Sequence, residues 1–244
     1  MLASGFLLTF VTGPSAFAVA RVDVPSLTWT DAAAIQGAVA LPNGTNVFRL
    51  DTTPIETALE ALPGVASANV GVSLPNAHLV VTIAERVPIL AWQSGDTRYL
   101  ADGDGVIFAT IPAGKAPPPG VAVVDDRRVG AGASFQIGSR LDPVDLDVAT
   151  RLGSLAPADV GSAAARLHVR VTDVDGFSIF TDRGWTADFG FYSPATRPAG
   201  MIPGQVRLLR SFLAGREANV ERVTLASETD GTFVPKTTPA PTKQ

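Results

Sequence analysis

The stretch from Asn46 to Trp92 constrains the fold of this chain more than any other part of the sequence. Thr53-Pro54-Ile55-Glu56 has the pattern of a capping box with proline at the first helical position, so it predicts the start of a helix. Pro63-Gly64 predicts its end. Two runs of alternating apolar and polar residues follow on either side of Pro75-Asn76, and they predict two strands joined by a tight turn. The helix is expected to pack on one face of this sheet around a shared apolar core: Leu59, Leu62, Val70, Val81 and Ile83.

The composition of the chain excludes several classes of protein. Its 244 residues, of which 46% are hydrophobic and 17% charged, are enough for one or two folded domains. The net charge of −4, without a basic face, argues against a nucleic-acid partner. Because the chain has no cysteine, it has neither disulfides nor a thiolate metal site.

Residues 1–20 carry no charged side chain, and their number is sufficient to span a bilayer. The densest apolar part, Phe6–Val11, is followed by Gly13-Pro14 and is not preceded by a basic segment. One interpretation is a signal peptide with a cleavage motif at Ala16-Phe17-Ala18. The other is the outer end of a membrane anchor, and a buried soluble strand or helix is a third alternative.

The remainder of the chain predicts a β-rich region with helices. A helix is expected to start at Asp142-Pro143, and a second one carries the apolar stripe Val206, Leu209 and Leu213. Alternating residues from Leu167 to Phe189, interrupted by turns, predict an antiparallel meander. Val220–Leu225 is predicted to be the last strand, and the polar tail at 235–244, which contains proline, is expected to be disordered.

Several of these segments together resemble the FtsQ/DivIB family of bacterial cell-division proteins. The similarity to the FtsQ-type POTRA domain lies in a few short motifs: Phe48–Asp51, Ala61–Val65, Ala68–Val70, Leu74-Pro75, Glu85–Pro88 and Ala91-Trp92. Tyr99–Ile107 and the elements after it are similar to the β domain of that family. The resemblance implies an α+β fold, in which an N-terminal POTRA domain (β-α-α-β-β) precedes a β-rich domain with an antiparallel sheet and packing helices. The predicted domain bounds are as follows: 1–15, end of a membrane anchor; 16–92, POTRA domain; 93–234, β domain; 235–244, tail.

No constellation of residues typical of an enzyme is found in the sequence. The two histidines, His78 and His168, are expected on strands, and no serine-hydrolase, zinc-protease or phosphate-loop motif is present. Asp102–Gly105 lacks the downstream glutamate of a calcium loop. The adjacent Asp125-Asp126 and Arg127-Arg128 are interpreted as a solvated charge cluster. We therefore expect no catalytic, cofactor-binding or metal-binding residues, no small-molecule substrate and no enzymatic activity.

The resemblance also implies a function. Members of this family are single-pass proteins of the cytoplasmic membrane, with their folded domains on the extracytoplasmic side. They are scaffolds that link early and late division proteins and help to regulate septal peptidoglycan synthesis. Two alternatives are a POTRA-containing translocation or assembly module that captures client strands, and a secreted hydrolase with an unrecognised site.

The terminal strand Val220–Leu225 is predicted to be the partner surface, because a strand added last in the chain often lies at a sheet edge. The resemblance implies that this region receives the FtsB-like partner of an FtsB–FtsL coiled coil. The family often carries an acidic and a basic residue in this strand, which Val223–Ala226 lacks. The predicted partner-binding residues are Arg222, Thr224, Leu225, Ser227 and Phe233.

Overall fold

The computed structural model describes residues 18–19, 21–23, 27–73 and 78–237 of the chain. The chain divides into two compact units between Arg86 and Val87. The sequence places this boundary later, after Trp92. The structure differs because Leu90 begins a strand of the second unit, in which Trp92 is a fully buried core residue.

The first unit has the predicted β-α-α-β-β order. Its elements are β1 (Arg21–Asp23), α1 (Ala32–Ala38), α2 (Thr53–Glu60), β2 (Val65–Ser73) and β3 (His78–Glu85). In the described part of this unit the strands form one sheet in the order β1-β3-β2, with β1 parallel and β2 antiparallel to β3. This arrangement confirms the predicted POTRA fold. The predicted turn at Pro75-Asn76 lies outside the described residues.

The core of the first unit lies between its helices and one face of its sheet. Leu59 of α2 has no exposed surface, and it packs in one cluster with Val70 of β2 and Val81 of β3. Leu62 and Ile83 are half-buried against the same cluster. The helix face and the strand alternation were therefore predicted correctly.

The start of α2 differs from the predicted capping box. Thr52 is the N-cap residue and makes no side-chain capping bond, whereas Asp51 accepts a hydrogen bond from the Thr53 N–H at 3.0 Å. Glu56 accepts a hydrogen bond from the Val70 N–H at 2.7 Å, and Glu60 accepts one from the Ala68 N–H at 3.2 Å. The predicted capping box is wrong because the Glu56 carboxylate binds the Val70 N–H of the edge strand β2 instead of the start of its own helix. This donor is distant in the chain, so the residues around Glu56 do not predict it. The two glutamates thereby cover part of the outer edge of β2.

Residues at the end of β3 fasten two loops of the first unit. The Glu85 carboxylate accepts hydrogen bonds from the backbone N–H groups of Thr28, Trp29 and Thr30, at 2.6, 2.7 and 2.9 Å. Arg86 donates from Nε to the Pro63 carbonyl at 3.0 Å and from its backbone N–H to the Gly64 carbonyl at 2.9 Å. Because a carboxylate and a guanidinium make strong, charge-assisted hydrogen bonds, this pair fixes both loops against the sheet.

Gly64 is held so close to the loop before α1 that a side chain does not fit there. An added Cβ would lie 2.5 Å from Thr30 Oγ1 and 3.3 Å from the Trp29 carbonyl oxygen. We expect Gly64→Ala to lower the free energy of unfolding of the first unit by about 1–3 kcal/mol, the usual cost of overpacking. Gly71→Ala in β2 is the matched control, because an added Cβ there has nothing within 4 Å. Urea unfolding measures both variants, and equal midpoints for the two would contradict the close approach at Gly64.

The second unit is a large sheet with two α-helices packed on it. Its elements in chain order are β4 (Leu90–Ser94), β5 (Thr97–Ala101), β6 (Ile107–Pro112), β7 (Ala122–Asp126), α3 (Pro143–Gly153), β8 (His168–Thr172), β9 (Gly176–Phe180), β10 (Thr186–Gly190), α4 (Ile202–Leu213), β11 (Val220–Leu225) and β12 (Gly231–Pro235). Within residues 78–237, nine strands form one sheet in the order β12-β11-β10-β9-β8-β7-β4-β5-β6. The β-rich domain with packing helices is thus confirmed.

The predicted meander is confirmed too, because β8, β9 and β10 pair antiparallel. The sheet is nevertheless mixed, since β4 and β7, β7 and β8, and β10 and β11 pair in parallel. Two of these parallel pairs follow from crossover connections: α3 lies between β7 and β8, and α4 lies between β10 and β11. Directly opposite residues build a buried row across the helix-covered face: Trp92, Val124, Val169, Ile179, Ala187 and Val223.

The charged residues at the end of β7 are not the solvated cluster that the sequence predicts. The Asp126 side chain has no exposed surface, and it accepts hydrogen bonds from Trp92 Nε1 and Arg128 Nη2, each at 2.8 Å. Arg128 Nη1 also contacts Asp145 Oδ2 of α3 at 2.8 Å. Asp125 points to the opposite face, toward Arg127 and Arg170. The prediction was wrong for Asp126 because sequence does not show that the buried Trp92 lies on the adjacent strand.

The two ends of the chain carry further predictions. The anchor predicted at 1–15 lies outside the described residues, and no helix among the described residues is both long and apolar enough to cross a bilayer. The predicted tail starts later than 235, because Pro235 ends β12 and the Lys236 N–H donates to the Asn219 carbonyl at 2.8 Å. Residues 238–244 lie outside the described part.

Candidate partner-binding edge

The strand at the end of the large sheet is β12, not β11. β11 pairs in parallel with β10 on one side and antiparallel with β12 on the other. The prediction that Val220–Leu225 is an edge strand is therefore wrong. β12 is only a short segment that ends in Pro235. A proline in a strand is typical of an edge, and this is the sequence signal that could have identified it.

The predicted partner-binding residues lie on two faces of the sheet. Residues directly opposite on paired strands share a face, so Phe233 lies on the helix-covered face with Val223, while Arg222 and Thr224 lie on the other face. Leu225 is 1% exposed and belongs to the core. Because its alternation points it inward, its side chain offers almost no surface to a partner, and its role as a contact residue stays a prediction.

Ser227 builds the turn between β11 and β12. Its Oγ accepts hydrogen bonds from the N–H groups of Thr229 and Asp230, at 3.2 and 2.9 Å. Its own N–H donates to the Asp230 carbonyl at 3.0 Å. Serine commonly makes such turn hydrogen bonds. Ser227 therefore positions β12.

Phe233 forms an apolar patch at the edge. Its side chain is 40% exposed, and its ring centroid lies 5.8 Å from that of Phe212 in α4. The Arg216 guanidinium lies 5.4 Å from the centre of the Phe233 ring, within cation–π range. Val234, which points to the opposite face, is also exposed. The edge strand thus presents an apolar side chain on each face.

Arg222 and Thr224 lie beside two carboxylates on the other face of the sheet. Arg222 reaches Asp188 Oδ2 and Asp175 Oδ1, each at 3.5 Å. Burial raises the pKa of the Asp188 carboxyl, and the nearby Arg222 charge only partly offsets this effect. Arg222 is thus engaged within the chain: its side chain is 48% exposed, and its partner Asp188 is buried.

Two side chains that sequence analysis missed hold the ends of β10 and β11. The Arg197 guanidinium donates hydrogen bonds to the carbonyl oxygens of Phe189, Leu225 and Ala226, at 2.7, 2.6 and 2.6 Å. Gln205 of α4 donates from Nε2 to the Leu225 carbonyl at 3.1 Å. Neither residue belongs to a motif. Both act on backbone groups brought together only by the fold, so the sequence carries no signal for them.

Two other strand edges in the described part of the chain are partly occupied. Ile107 of β6 exchanges backbone hydrogen bonds with Ser139 and Gly138, at 2.9 and 2.7 Å. At the β2 edge, the two glutamates described above accept hydrogen bonds from two of the outward N–H groups. Within residues 78–237, no backbone segment pairs with the outer side of β12. An unpaired edge is a template for an added strand.

Titratable groups of the described residues do not assemble into a metal site: no group of three or more His, Asp and Glu side chains in those residues could hold an ion. His78 Nδ1 lies 4.0 Å from Asp23 Oδ2 in the first unit. His168 stacks on Phe180 in the second, with 5.0 Å between the ring centroids. The two histidines therefore belong to separate local contacts.

Comparison with known proteins agrees with this architecture. The family described as "POTRA domain, FtsQ-type" matches residues 17–86. The chain is 34% identical over 138 residues to "Cell division protein FtsQ" of Mycobacteroides abscessus, a match that covers 54% of this chain and 42% of the relative. It is 30% identical over 160 residues to the protein of that name from Chloroflexus aggregans, a match that covers 66% of this chain and 56% of the relative. The chain is also 31% identical over 180 residues to the "Cell division protein FtsQ" of Mycolicibacterium smegmatis, and this match covers 72% of this chain and 49% of the relative.

The first unit is thus a POTRA domain of the FtsQ type, followed by a β-rich unit. Over part of its length the chain is similar to proteins of the FtsQ/DivIB family. It spans about half the length of these relatives.

Proposed function

We propose that this protein is a membrane-anchored, non-enzymatic scaffold of the bacterial cell-division machinery. Its relatives are named cell division proteins, and its first unit matches the POTRA domain of that family. In this proposal residues 1–15 belong to a single-pass anchor in the cytoplasmic membrane, and both folded units lie on the extracytoplasmic side. The scaffold links division proteins and helps to regulate septal peptidoglycan synthesis.

The observation that carries the proposal is the unpaired outer side of β12 beside the exposed Phe233 ring. An extended partner segment can add to such an edge, with main-chain hydrogen bonds supplying affinity and side-chain pockets supplying specificity. The partner that we propose is an FtsB-like protein in an FtsB–FtsL coiled coil. In this proposal Phe233 is the aromatic residue that anchors the partner, and Ser227 positions β12 for binding. Arg222 and Thr224 contribute the neighbouring surface on the other face of the sheet.

Capture of client strands at the β2 edge of the POTRA domain is less well supported. β-Augmentation on β2 requires its outward backbone N–H groups, and Glu60 and Glu56 already accept hydrogen bonds from those of Ala68 and Val70. A client strand would have to displace both carboxylates. No specific observation favours a secreted hydrolase.

Phe233→Ala is expected to weaken binding of the FtsB-like extracytoplasmic segment from the same genome. Truncation of a central aromatic anchor costs about 2 kcal/mol or more, which corresponds to about a 30-fold increase in Kd. Isothermal titration calorimetry measures the effect. The matched control is Phe48→Ala in the first unit, since Phe48 is 47% exposed and Phe233 40%. The control is expected to bind like the wild type.

Circular dichroism must show that both variants stay folded. A folded Phe233→Ala variant with unchanged affinity would contradict β12 as the partner surface. If Phe48→Ala were the weaker binder, the partner surface would lie on the POTRA unit instead.

A further inference from the structure

A groove lies between the two α-helices of the second unit, on the flank of α4 that faces away from β12. Its volume is about 410 Å³, which is in the range of ligand-binding clefts. Its apolar lining consists of Leu155, Ile202, Pro203 and Val206. Its rim carries the charged residues Arg151, Asp159 and Arg210.

Two of these charged groups are already engaged. Arg151 Nε donates to Asp147 Oδ1 at 2.7 Å, and Asp159 Oδ2 accepts a hydrogen bond from the Ala156 N–H at 2.7 Å. Among the described residues, the Arg210 guanidinium has no hydrogen-bond or ion-pair partner. The groove therefore combines an apolar floor with a cation that is free to bind an incoming anion.

The helix that builds this groove is basic in an acidic protein. Between Ile202 and Arg216 the chain carries Arg207, Arg210 and Arg216 but no carboxylate, although its net charge is −4. Such a local field favours association with a negatively charged partner.

We propose that this groove binds an acidic, apolar segment of a second protein partner, with an aliphatic side chain on Leu155 and Val206 and a carboxylate on Arg210. A concave apolar site favours a protein segment over a membrane, because anionic bilayers are bound by clusters of about four to eight basic residues. The groove is independent of the proposed β12 site. On the opposite flank of α4, Phe212 packs against Phe233 of β12, while Val206 and Arg210 line the groove.

Two synthetic peptides test the proposal with the full chain. One is acetyl-Glu-Leu-Leu-Glu-amide, and the other is its charge-reversed form, acetyl-Lys-Leu-Leu-Lys-amide. Methyl-detected nuclear magnetic resonance of the labelled protein is expected to show shifts at Leu155, Ile202 and Val206 with the acidic peptide only. Arg210→Glu is expected to raise the Kd at least about tenfold. Arg207→Glu is the matched control, because it makes the same charge change on the same helix outside the groove, and a change below about twofold is expected.

Three outcomes would overturn the proposal. The first is the absence of methyl shifts in the groove at millimolar concentrations of the acidic peptide. The second is equal binding of both peptides, which would mean that charge does not matter. The third is binding to phosphatidylglycerol vesicles that both arginine variants weaken equally, which would identify a membrane-facing patch. A Phe233→Ala variant is expected to show the same methyl shifts with the acidic peptide as the wild type. The groove proposal can therefore be tested even if the β12 proposal fails.

Discussion

Replacing Asp126 by alanine is expected to lower the free energy of unfolding of the second unit by about 2–4 kcal/mol, because a buried donor loses its acceptor and Arg128 loses one of its two carboxylates. The carboxylate lies in the core, where it accepts hydrogen bonds from the Trp92 indole and from Arg128. Burial by itself lowers the pKa of Arg128, but the hydrogen bonds and charges of Asp126 and Asp145 outweigh it and raise that pKa overall. Without Asp126, a buried indole N–H has no acceptor and the guanidinium keeps only one carboxylate.

Urea unfolding followed by tryptophan fluorescence measures this loss, because Trp92 and Trp185 are both buried in the second unit. Asp125→Ala is the matched control. Its carboxylate is 22% exposed and pairs with Arg127 and Arg170 near the surface, so we expect a loss of at most about 1 kcal/mol. Asp126→Asn retains an acceptor for the indole, so we expect its loss of unfolding free energy to lie between those of Asp125→Ala and Asp126→Ala. Equal losses for Asp125→Ala and Asp126→Ala would contradict the buried network.

Leu59→Ala is expected to lower the free energy of unfolding of the first unit by about 2–5 kcal/mol, the range found for truncation of a buried leucine. Leu59 has no exposed surface and packs against Val70 and Val81 across the helix–sheet core. The cost adds the lost burial of its methyl groups to the cavity that they leave. Urea unfolding followed by circular dichroism and by the fluorescence of Trp29, the one tryptophan of this unit, measures it.

The control for this variant is Val80→Ala in β3. Val80 neighbours Val81 in the chain but points to the other face of the sheet and is 41% exposed, so a change within about 0.5 kcal/mol is expected. A loss for Leu59→Ala well below 2 kcal/mol would mean that α2 presents a different face to the sheet.

Periodicity predicted the elements whose partners are close in the chain. The helix with Leu59 and the strands with Val70 and Val81 were readable because a helical period and a strand alternation are local properties. The start of α3 was readable for the same reason, since Asp142 accepts hydrogen bonds from the N–H groups of Val144 and Asp145 just after it. Family motifs supplied the order of the two units.

Contacts distant in sequence could not be read in this way. Glu56 looked like part of a capping box, but its carboxylate reaches the backbone of Val70 in the next strand. Asp126 looked solvated, although its partner Trp92 lies on an adjacent strand. The predicted edge strand was wrong for the same reason, since it depends on a pairing that the sequence does not show. β12 pairs with the outer side of β11, so the edge of the sheet is Gly231–Pro235 and not Val220–Leu225. Phe233 nevertheless lies on the corrected edge.

Hydrogen exchange of the β12 amides, with and without the FtsB-like segment, tests the proposed partner edge most directly. Amides on the unpaired outer side of β12 exchange freely until an added strand accepts their hydrogen bonds. We predict that a peptide covering Gly231–Pro235 gains protection on binding, while one covering Val65–Ser73 in β2 does not change. Unchanged exchange in β12, together with new protection in β2 or elsewhere in the POTRA unit, would contradict the proposal that the partner binds at β12.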